Sequence, residues 1–344
     1  MIRFNCDYSE GAHPKILEKL IETNLEQTAG YGTDEHCSNA AGLIKAKCER
    51  QDIDVHFLVG GTQTNLTVVS ASLRPHQGVL TAASGHINTH ETGAIEATGH
   101  KVLALPSADG KLTADQIQEV YDLHFKDETH EHIVQPKLVY ISNPTEIGTI
   151  YSKAELTAIS RTCRKNDLIL YMDGARLGYA LCVRDNDLDL SEIARLCDIF
   201  YIGGTKIGAL FGEALVIARD ELKKDFRYII KQKGGMLAKG RLLGVQFEAL
   251  FEEGLYFSIA SRANEMALLI RDAFSQKGYS FLVESATNQQ FPIIPDEQLN
   301  ILKENFEYSF WQKVDDSTSA VRFCTSWATS EKDVLKLVEE IGKL

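Results

Sequence analysis

Short apolar, β-branched runs, each ending in glycine or a polar cluster, recur along the first two thirds of the chain with amphipathic stretches between them. This alternation constrains the fold more than any other feature. Seven runs have the composition of strands: VHFLVGG (55–61), VLTAA (79–83), KVLALP (101–106), LVYISNP (138–144), LILYMDGA (168–175), IFYIGG (199–204) and EALVIA (213–218). Four intervening stretches, 14–27, 62–73, 153–166 and 190–197, carry apolar residues at helical spacing. Strands alternating with helices predict an α/β domain on a mostly parallel sheet, with helices on both faces.

Beyond residue 240 the pattern changes. A long helical stretch, broken near Gly254, leads to four strand-like runs at 279–285, 289–295, 306–314 and 320–327, and a final helix follows at 330–344. The expected division is a large domain over 1–240 and a linking helix with a small α+β domain over 241–344. The polar stretch 123–137 reads as a surface loop, with His124, His130 and His132 solvated.

The formal charge of −12 and the lack of a basic run argue against a nucleic-acid or anionic-membrane surface. Seven scattered cysteines, none in a CxxC pair, suit reduced thiols in a cytoplasmic enzyme rather than a disulfide framework or a zinc cage. The N-terminus has no apolar signal core, and no apolar run approaches the ~20 residues that span a bilayer.

Ligands collect at the carboxyl ends of strands in open α/β sheets, and here those ends carry chemistry. Gly60, Gly61, Thr62, Gln63, Thr64 and Asn65 lie between a strand and a helix, where free N–H groups suit a phosphate. Taken alone, the stretch is also an ordinary capped helix start. Asp173 ends a strand with Arg176 three residues on, a pair that fits either a turn salt bridge or a carboxylate aimed at a protonated pyridine nitrogen. Lys206 interrupts the apolar stretch YIGGTKIGALFG, either snorkelling from a loop or serving as a desolvated amine nucleophile. In combination, a phosphate cradle, a strand-end Asp and a downstream strand-end Lys are the parts a pyridoxal phosphate site needs. The glycines beside Lys206 would leave room for the cofactor ring. His86 and His90, with Glu91 beside them, offer an imidazole to cover that ring. As a metal pair they lack an evident third ligand, so no metal is expected. Arg322, in a strand-like run, offers a guanidinium to a substrate carboxylate.

These residues, with GYGTDEH near residue 30, GGTQTN, GHINTHETG, YMDGARLG, GGTKIG, KGGMLAKGRLLG and VRFCTSW, resemble the fold-type I pyridoxal-phosphate-dependent threonine aldolases and β-eliminating lyases along nearly the whole chain. The resemblance implies a central, mostly parallel seven-stranded sheet, a small C-terminal domain and a homodimer or homotetramer. It implies pyridoxal 5'-phosphate linked to Lys206, with Asp173 on the pyridine nitrogen and His86 stacked on the ring. Gly61, Thr62 and Gln63 would form the phosphate cup. Arg176 would lie near the cofactor oxygen and the substrate carboxylate. Arg322 and Ser9 would bind that carboxylate, and Tyr31 would reach an active site, often a neighbouring subunit's. The implied reaction is Cα–Cβ cleavage of β-hydroxy amino acids. The alternatives are β-elimination on another amino acid, or a non-catalytic protein that keeps the fold.

Three positions depart from the family pattern. Thr145 stands where a histidine near the substrate hydroxyl is expected, which leaves His86, a water or Glu146 as proton acceptor. Leu237 replaces an arginine that reaches a partner's phosphate, with Lys233, Lys239 or Arg241 as substitutes. Ser326 replaces a histidine before Trp327.

Overall fold

The seven apolar runs fold into one seven-stranded sheet, and the computed structural model describes all 344 residues. In chain order the first elements are β1 (Ile2–Arg3), α1 (Pro14–Glu22), α2 (Glu35–Lys47), β2 (Asp54–Leu58), α3 (Gly61–Ser72), β3 (Gln77–Ala82), α4 (His86–Thr89), β4 (Val102–Leu105) and α5 (Ala114–Lys126). There follow β5 (Gln135–Ser142), α6 (Lys153–Lys165), β6 (Ile169–Asp173), α7 (Leu177–Leu181), α8 (Leu190–Leu196), β7 (Ile199–Gly203), β8 (Glu213–Ile217), α9 (Phe226–Gln232), α10 (Arg241–Glu252) and α11 (Leu255–Gln276). The C-terminal part contains β9 (Gln289–Gln290), β10 (Ile293–Pro295), α12 (Asp296–Lys303), β11 (Phe306–Glu307), β12 (Ser309–Lys313), β13 (Thr318–Cys324) and α13 (Glu331–Lys343).

The large sheet has the order β2-β8-β7-β6-β5-β3-β4. Only β8 runs against its neighbours, β2 and β7. Strands β3, β6, β7 and β8 are buried along their whole length, which explains their continuous apolar runs: both faces are covered. Alternate residues feed two cores. Val139, Ile141, Leu170, Met172, Phe200 and Ile202 face one, with Phe247 and Leu250 of α10. Leu138, Tyr140, Tyr171, Tyr201 and Leu215 face the other, with Val68 and Val69 of α3 and Phe226 and Ile230 of α9. Three tyrosines on adjacent strands therefore share one face, and their hydroxyls point at the same strand end.

A third core joins Phe4, Ile270, Phe274, Phe323, Val334 and Leu337. Helix α11 serves two cores: Tyr256, Ile259 and Ala263 pack with the large sheet, whereas Met266, Ile270 and Phe274 pack with the third. The break before α11 falls at Gly254, whose φ of 71° is left-handed. The N-terminal strand also joins the C-terminal layer, since β1 pairs in parallel with β11.

Three expectations change. The stretch 279–285 forms no strand and contributes only the isolated bridge Phe281–Pro292. The first helix stops at Glu22 rather than running to residue 27. The stretch 123–137 is not simply a loop: α5 extends to Lys126 and β5 starts at Gln135. His124 is buried there, edge-on to Phe125 and His130, so it is not solvated. Its place on the inner face of α5 removes it from water. Helix α2 was not evident in the sequence because its apolar residues do not gather on one stripe.

Candidate active site

The loops after β2, β3, β5, β6 and β7 open onto a cavity of about 610 Å³, closed on another side by Arg322 of β13 and Trp311 of β12. The volume lies within the range of small-molecule and cofactor sites.

Asp173, the last residue of β6, is buried and saturated with donors. Its Oδ2 accepts from Tyr140 Oη (2.6 Å) and Asn65 Nδ2 (3.2 Å), and its Oδ1 from Tyr201 Oη (2.6 Å) and the Ala175 N–H (3.0 Å). Burial pushes its pKa up. His86, the two tyrosine hydroxyls and the backbone donor more than offset this, so the carboxyl titrates below its ordinary value. Asp173 makes no turn salt bridge with Arg176. That guanidinium instead turns to Asp7, with Nε and Nη2 at 2.7 and 2.9 Å from its two oxygens. Asp7 also accepts from Asn288 Nδ2 at 2.9 Å. Burial would raise the Asp7 pKa, but Arg176 and Lys206 hold it down to about 2.

His86 opens α4 and lines the cavity. Its Nδ1 lies 2.8 Å from Glu91 Oε1, and its backbone N–H donates to Glu146 Oε1 at 2.9 Å. Glu91 is buried. Its Oε1 also accepts from Asn65 Nδ2 at 2.6 Å, and its Oε2 has no partner. One amide thus bridges the carboxylates of Glu91 and Asp173. His90 lines the same cavity, its ring 5.7 Å from that of His86. No group of three or more His, Cys, Asp or Glu side chains is arranged to hold a metal ion.

Helix α3 begins with Gly60 as its cap in extended backbone, and no side chain caps it. Its first-turn N–H groups are therefore free to face a ligand. Gly60, Gly61 and Thr62 line the cavity, and a Cβ on Gly61 would stand 3.1 Å from Tyr201 Oη. The Gln63 side chain points elsewhere: its Oε1 accepts from the Val59 N–H and its Nε2 donates to the Lys233 carbonyl. Only its backbone remains for a phosphate.

Lys206 sits on the connection between β7 and β8 and reaches into the cavity. Burial lowers its pKa, and Arg176 lowers it further, against the pull of Asp7, Asp173 and Glu213. Gly203 does not make room for a ring. A Cβ there would lie 2.3 Å from the Ala175 carbonyl oxygen, so the glycine lets two strand-end loops pack. Arg322 lines the far side. Its Nη1 donates to Gln289 Oε1 (3.3 Å), its Nη2 to the Asn5 carbonyl (2.9 Å), and its guanidinium lies 5.8 Å from the Trp311 ring.

Some expected residues are elsewhere. Ser9 is exposed, 3.1 Å from Cys6 Sγ; Tyr8 lines the cavity instead. Tyr31 is half exposed beside Lys231 and lines a separate cavity of about 300 Å³ with Leu237 and Arg227. Thr145 is buried and bonds Thr149 Oγ1 at 2.7 Å, whereas its neighbours Pro144 and Glu146 line the site. Arg241 is engaged by the Thr23 and Asn24 carbonyls, and Ser326 Oγ donates to Glu10 Oε2. Sequence reasoning missed Asp7, Tyr140, Tyr201, Trp311 and Glu213. The tyrosines carried a signal, one within each of the two strands, β5 and β7, that flank the strand ending in Asp173. Asp7 carried none.

The architecture is that of the fold-type I enzymes. Aspartate aminotransferase from Thermus thermophilus superposes with a TM-score of 0.72 over 100% of this chain and 91% of that one, at 14% identity. The family is narrower. The beta-eliminating lyase family model matches residues 7–296, and the chain belongs to that family. It is 30% identical to a low specificity L-threonine aldolase of Pseudomonas sp. (strain NCIMB 10558), over 98% of this chain and 96% of that one. The structure of a threonine aldolase from Leishmania major matches with a TM-score of 0.97 and 48% identity, over 100% of this chain and 99% of that one.

Proposed function

We propose that this protein is a pyridoxal-phosphate-dependent aldolase that cleaves the Cα–Cβ bond of β-hydroxy amino acids such as threonine, giving glycine and an aldehyde. The observation that carries the reading is the convergence of Asp173, Lys206, His86 and the uncapped start of α3 on one cavity that also contains Arg322. The donor set fits the cofactor. Free helix amides suit a dianionic phosphate, an ionised buried carboxylate suits a pyridinium N–H, and a lysine of lowered pKa suits an aldehyde. When bound, the cofactor supplies an electron sink for charge left at the substrate Cα.

The chain's own residues do the rest. The amides of Gly61, Thr62 and Gln63 would hold the phosphate. Asp173 would keep the pyridine nitrogen protonated and His86, its Nδ1 fixed by Glu91, would lie on the ring side of the cavity. Arg322 would hold the substrate carboxylate and thereby fix the orientation of the bonds at its Cα. Glu146 takes the proton of the β-hydroxyl. Its Oε1 is fixed by Ser142 Oγ (2.7 Å) and the His86 N–H, no bond occupies its Oε2, and burial raises its pKa.

Tyr31 stands outside its own chain's site, which supports a homodimer or homotetramer in which it serves a neighbour. With Leu237 apolar and Arg241 engaged, Lys233 or Lys239 would reach the neighbour's phosphate. Seven free cysteines suit a cytoplasmic location, and no helix is long and apolar enough to cross a membrane. Incubation with L-threonine and pyridoxal phosphate tests the reaction: glycine and acetaldehyde in equal amounts are expected. Ammonia and 2-oxobutanoate without glycine would make the protein a β-eliminating lyase.

A further inference from the structure

Glu213, the first residue of β8, is a buried carboxylate on the wall of the cavity that Lys206 enters. It lies opposite Gly203 in the β7–β8 pairing, so the two strands hold it at the base of the loop that carries Lys206. That loop also holds its oxygens: the Gly204 N–H donates to Oε2 at 3.2 Å and Thr205 Oγ1 donates to Oε1 at 2.9 Å. The Gly212 N–H in turn donates to Thr205 Oγ1 at 3.0 Å. Both bonds come from neutral donors, and Glu213 makes no salt bridge. A buried carboxylate without a cation is costly, so its retention next to a lysine calls for a reason.

The charged groups facing Lys206 are Arg176, Asp7, Asp173 and Glu213. Asp7 is committed to Arg176 through two short bonds. Asp173 is saturated by two tyrosine hydroxyls, an amide and a backbone N–H. Glu213 is the carboxylate left to balance the amine.

We infer that Glu213 is the charge partner of Lys206: its carboxylate, held on the cavity wall by the loop that carries the lysine, favours the ammonium across the cavity and so sets the pH at which the amine becomes neutral to attack an aldehyde. Burial pushes Glu213 up to about 8, and burial brings Lys206 down, so the two groups titrate toward one another. Glu213 acts through the lysine and is a positioning residue. The inference rests on the reading of Lys206 as the cofactor-linking amine.

The test follows Lys206 itself rather than turnover. The full-length protein, stripped of any bound cofactor, is mixed with pyridoxal phosphate from pH 5 to 10 and quenched with borohydride, and the label on the peptide containing Lys206 is measured by mass. Without Glu213 the ammonium loses its balancing charge. In Glu213→Gln the pH midpoint of labelling should therefore move to the acid side by about one unit or more, while Glu213→Asp, which keeps the charge, stays closer to the parent protein. Thr205→Val, which removes the hydroxyl that favours ionised Glu213, should move the midpoint in the same direction by less and covers the case in which Glu213→Gln fails to fold. Unchanged midpoints in the foldable variants would overturn the inference and leave the cofactor reading standing. No label on Lys206 in the parent protein at any pH would overturn the cofactor reading as well.

Discussion

The two ends of the cavity are built differently. At the Asp173 end the residues come from neighbouring strand ends and the start of α3, and both carboxylate oxygens are satisfied within the fold. At the Arg322 end the parts come from β12, β13 and the N-terminal segment, and the Arg322–Asn5 bond joins residues 317 positions apart. Buried polar atoms there, Arg322 Nε, Gln289 Nε2 and Asn5 Oδ1, have no partner. Buried polar groups are normally paired. The Asp173 end is braced within the sheet, with the α3 amides and Glu91 Oε2 as its spare groups, whereas the Arg322 end leaves buried donors and an acceptor unpaired on elements remote in sequence. Under the proposed function the contrast separates a cofactor end from a substrate end.

Substitutions at the cofactor end should break the reaction most. Lys206→Ala should lower kcat by on the order of 10³-fold or more and abolish the visible band of bound cofactor, as followed by absorbance. Asp173→Ala leaves two tyrosine hydroxyls and an amide without an acceptor, so urea unfolding should show a loss of about 3 kcal/mol. Between the two ends, Glu146→Gln should lower kcat about 10²-fold at neutral pH. Burial raises the Glu146 pKa, and the carboxylate is the active form. Activity of the parent enzyme should therefore fall as pH drops through that raised value, and the acid limb of the kcat/KM profile should vanish in the variant.

Asp7 links the ends through Arg176. Its folded pKa of about 2 lies below the ordinary 3.8, so the pairing contributes stability above the unfolded value and loses it as pH falls from about 4 to about 2. The amount is about 2 kcal/mol, measurable as a pH-dependent unfolding midpoint that flattens in Asp7→Asn. The smallest effect belongs to Ser9→Ala. Exposed and away from the cavity, it should change stability by under about 0.5 kcal/mol and leave KM unaltered.

The same contrast governs what the sequence revealed. The Asp173 end was legible because its residues follow strands whose apolar runs are continuous: Gly60, His86, Asp173 and Lys206 each sit just past such a run or at its end, and the fold brings them to one cavity. The Arg322 end was legible only in part: Arg322 was named from its strand-like run, but its surroundings were not. Asp7 pairs with Arg176 across 169 positions, and nothing local to either residue signals it. Ser9 was placed in the site by motif likeness, while the backbone of the same segment turns Tyr8 inward. Thr145 left the proton acceptor open in the sequence. In the structure its hydroxyl bonds Thr149, and the adjacent Glu146 faces the cavity. Glu213 was hidden because it begins an otherwise apolar strand, where only the pairing with β7 brings it to Lys206.

The separation of the two ends is tested most directly by titrating glycine into Arg322→Ala and the parent enzyme while following the visible band of the bound cofactor. The expected result is an unchanged band and cofactor affinity in the variant, with about 10²-fold more glycine needed to perturb the band, as befits the loss of a charge-assisted carboxylate contact. A variant that loses the cofactor, or that responds to glycine at the parent concentration, would contradict the division of the site into a resident end and a substrate end.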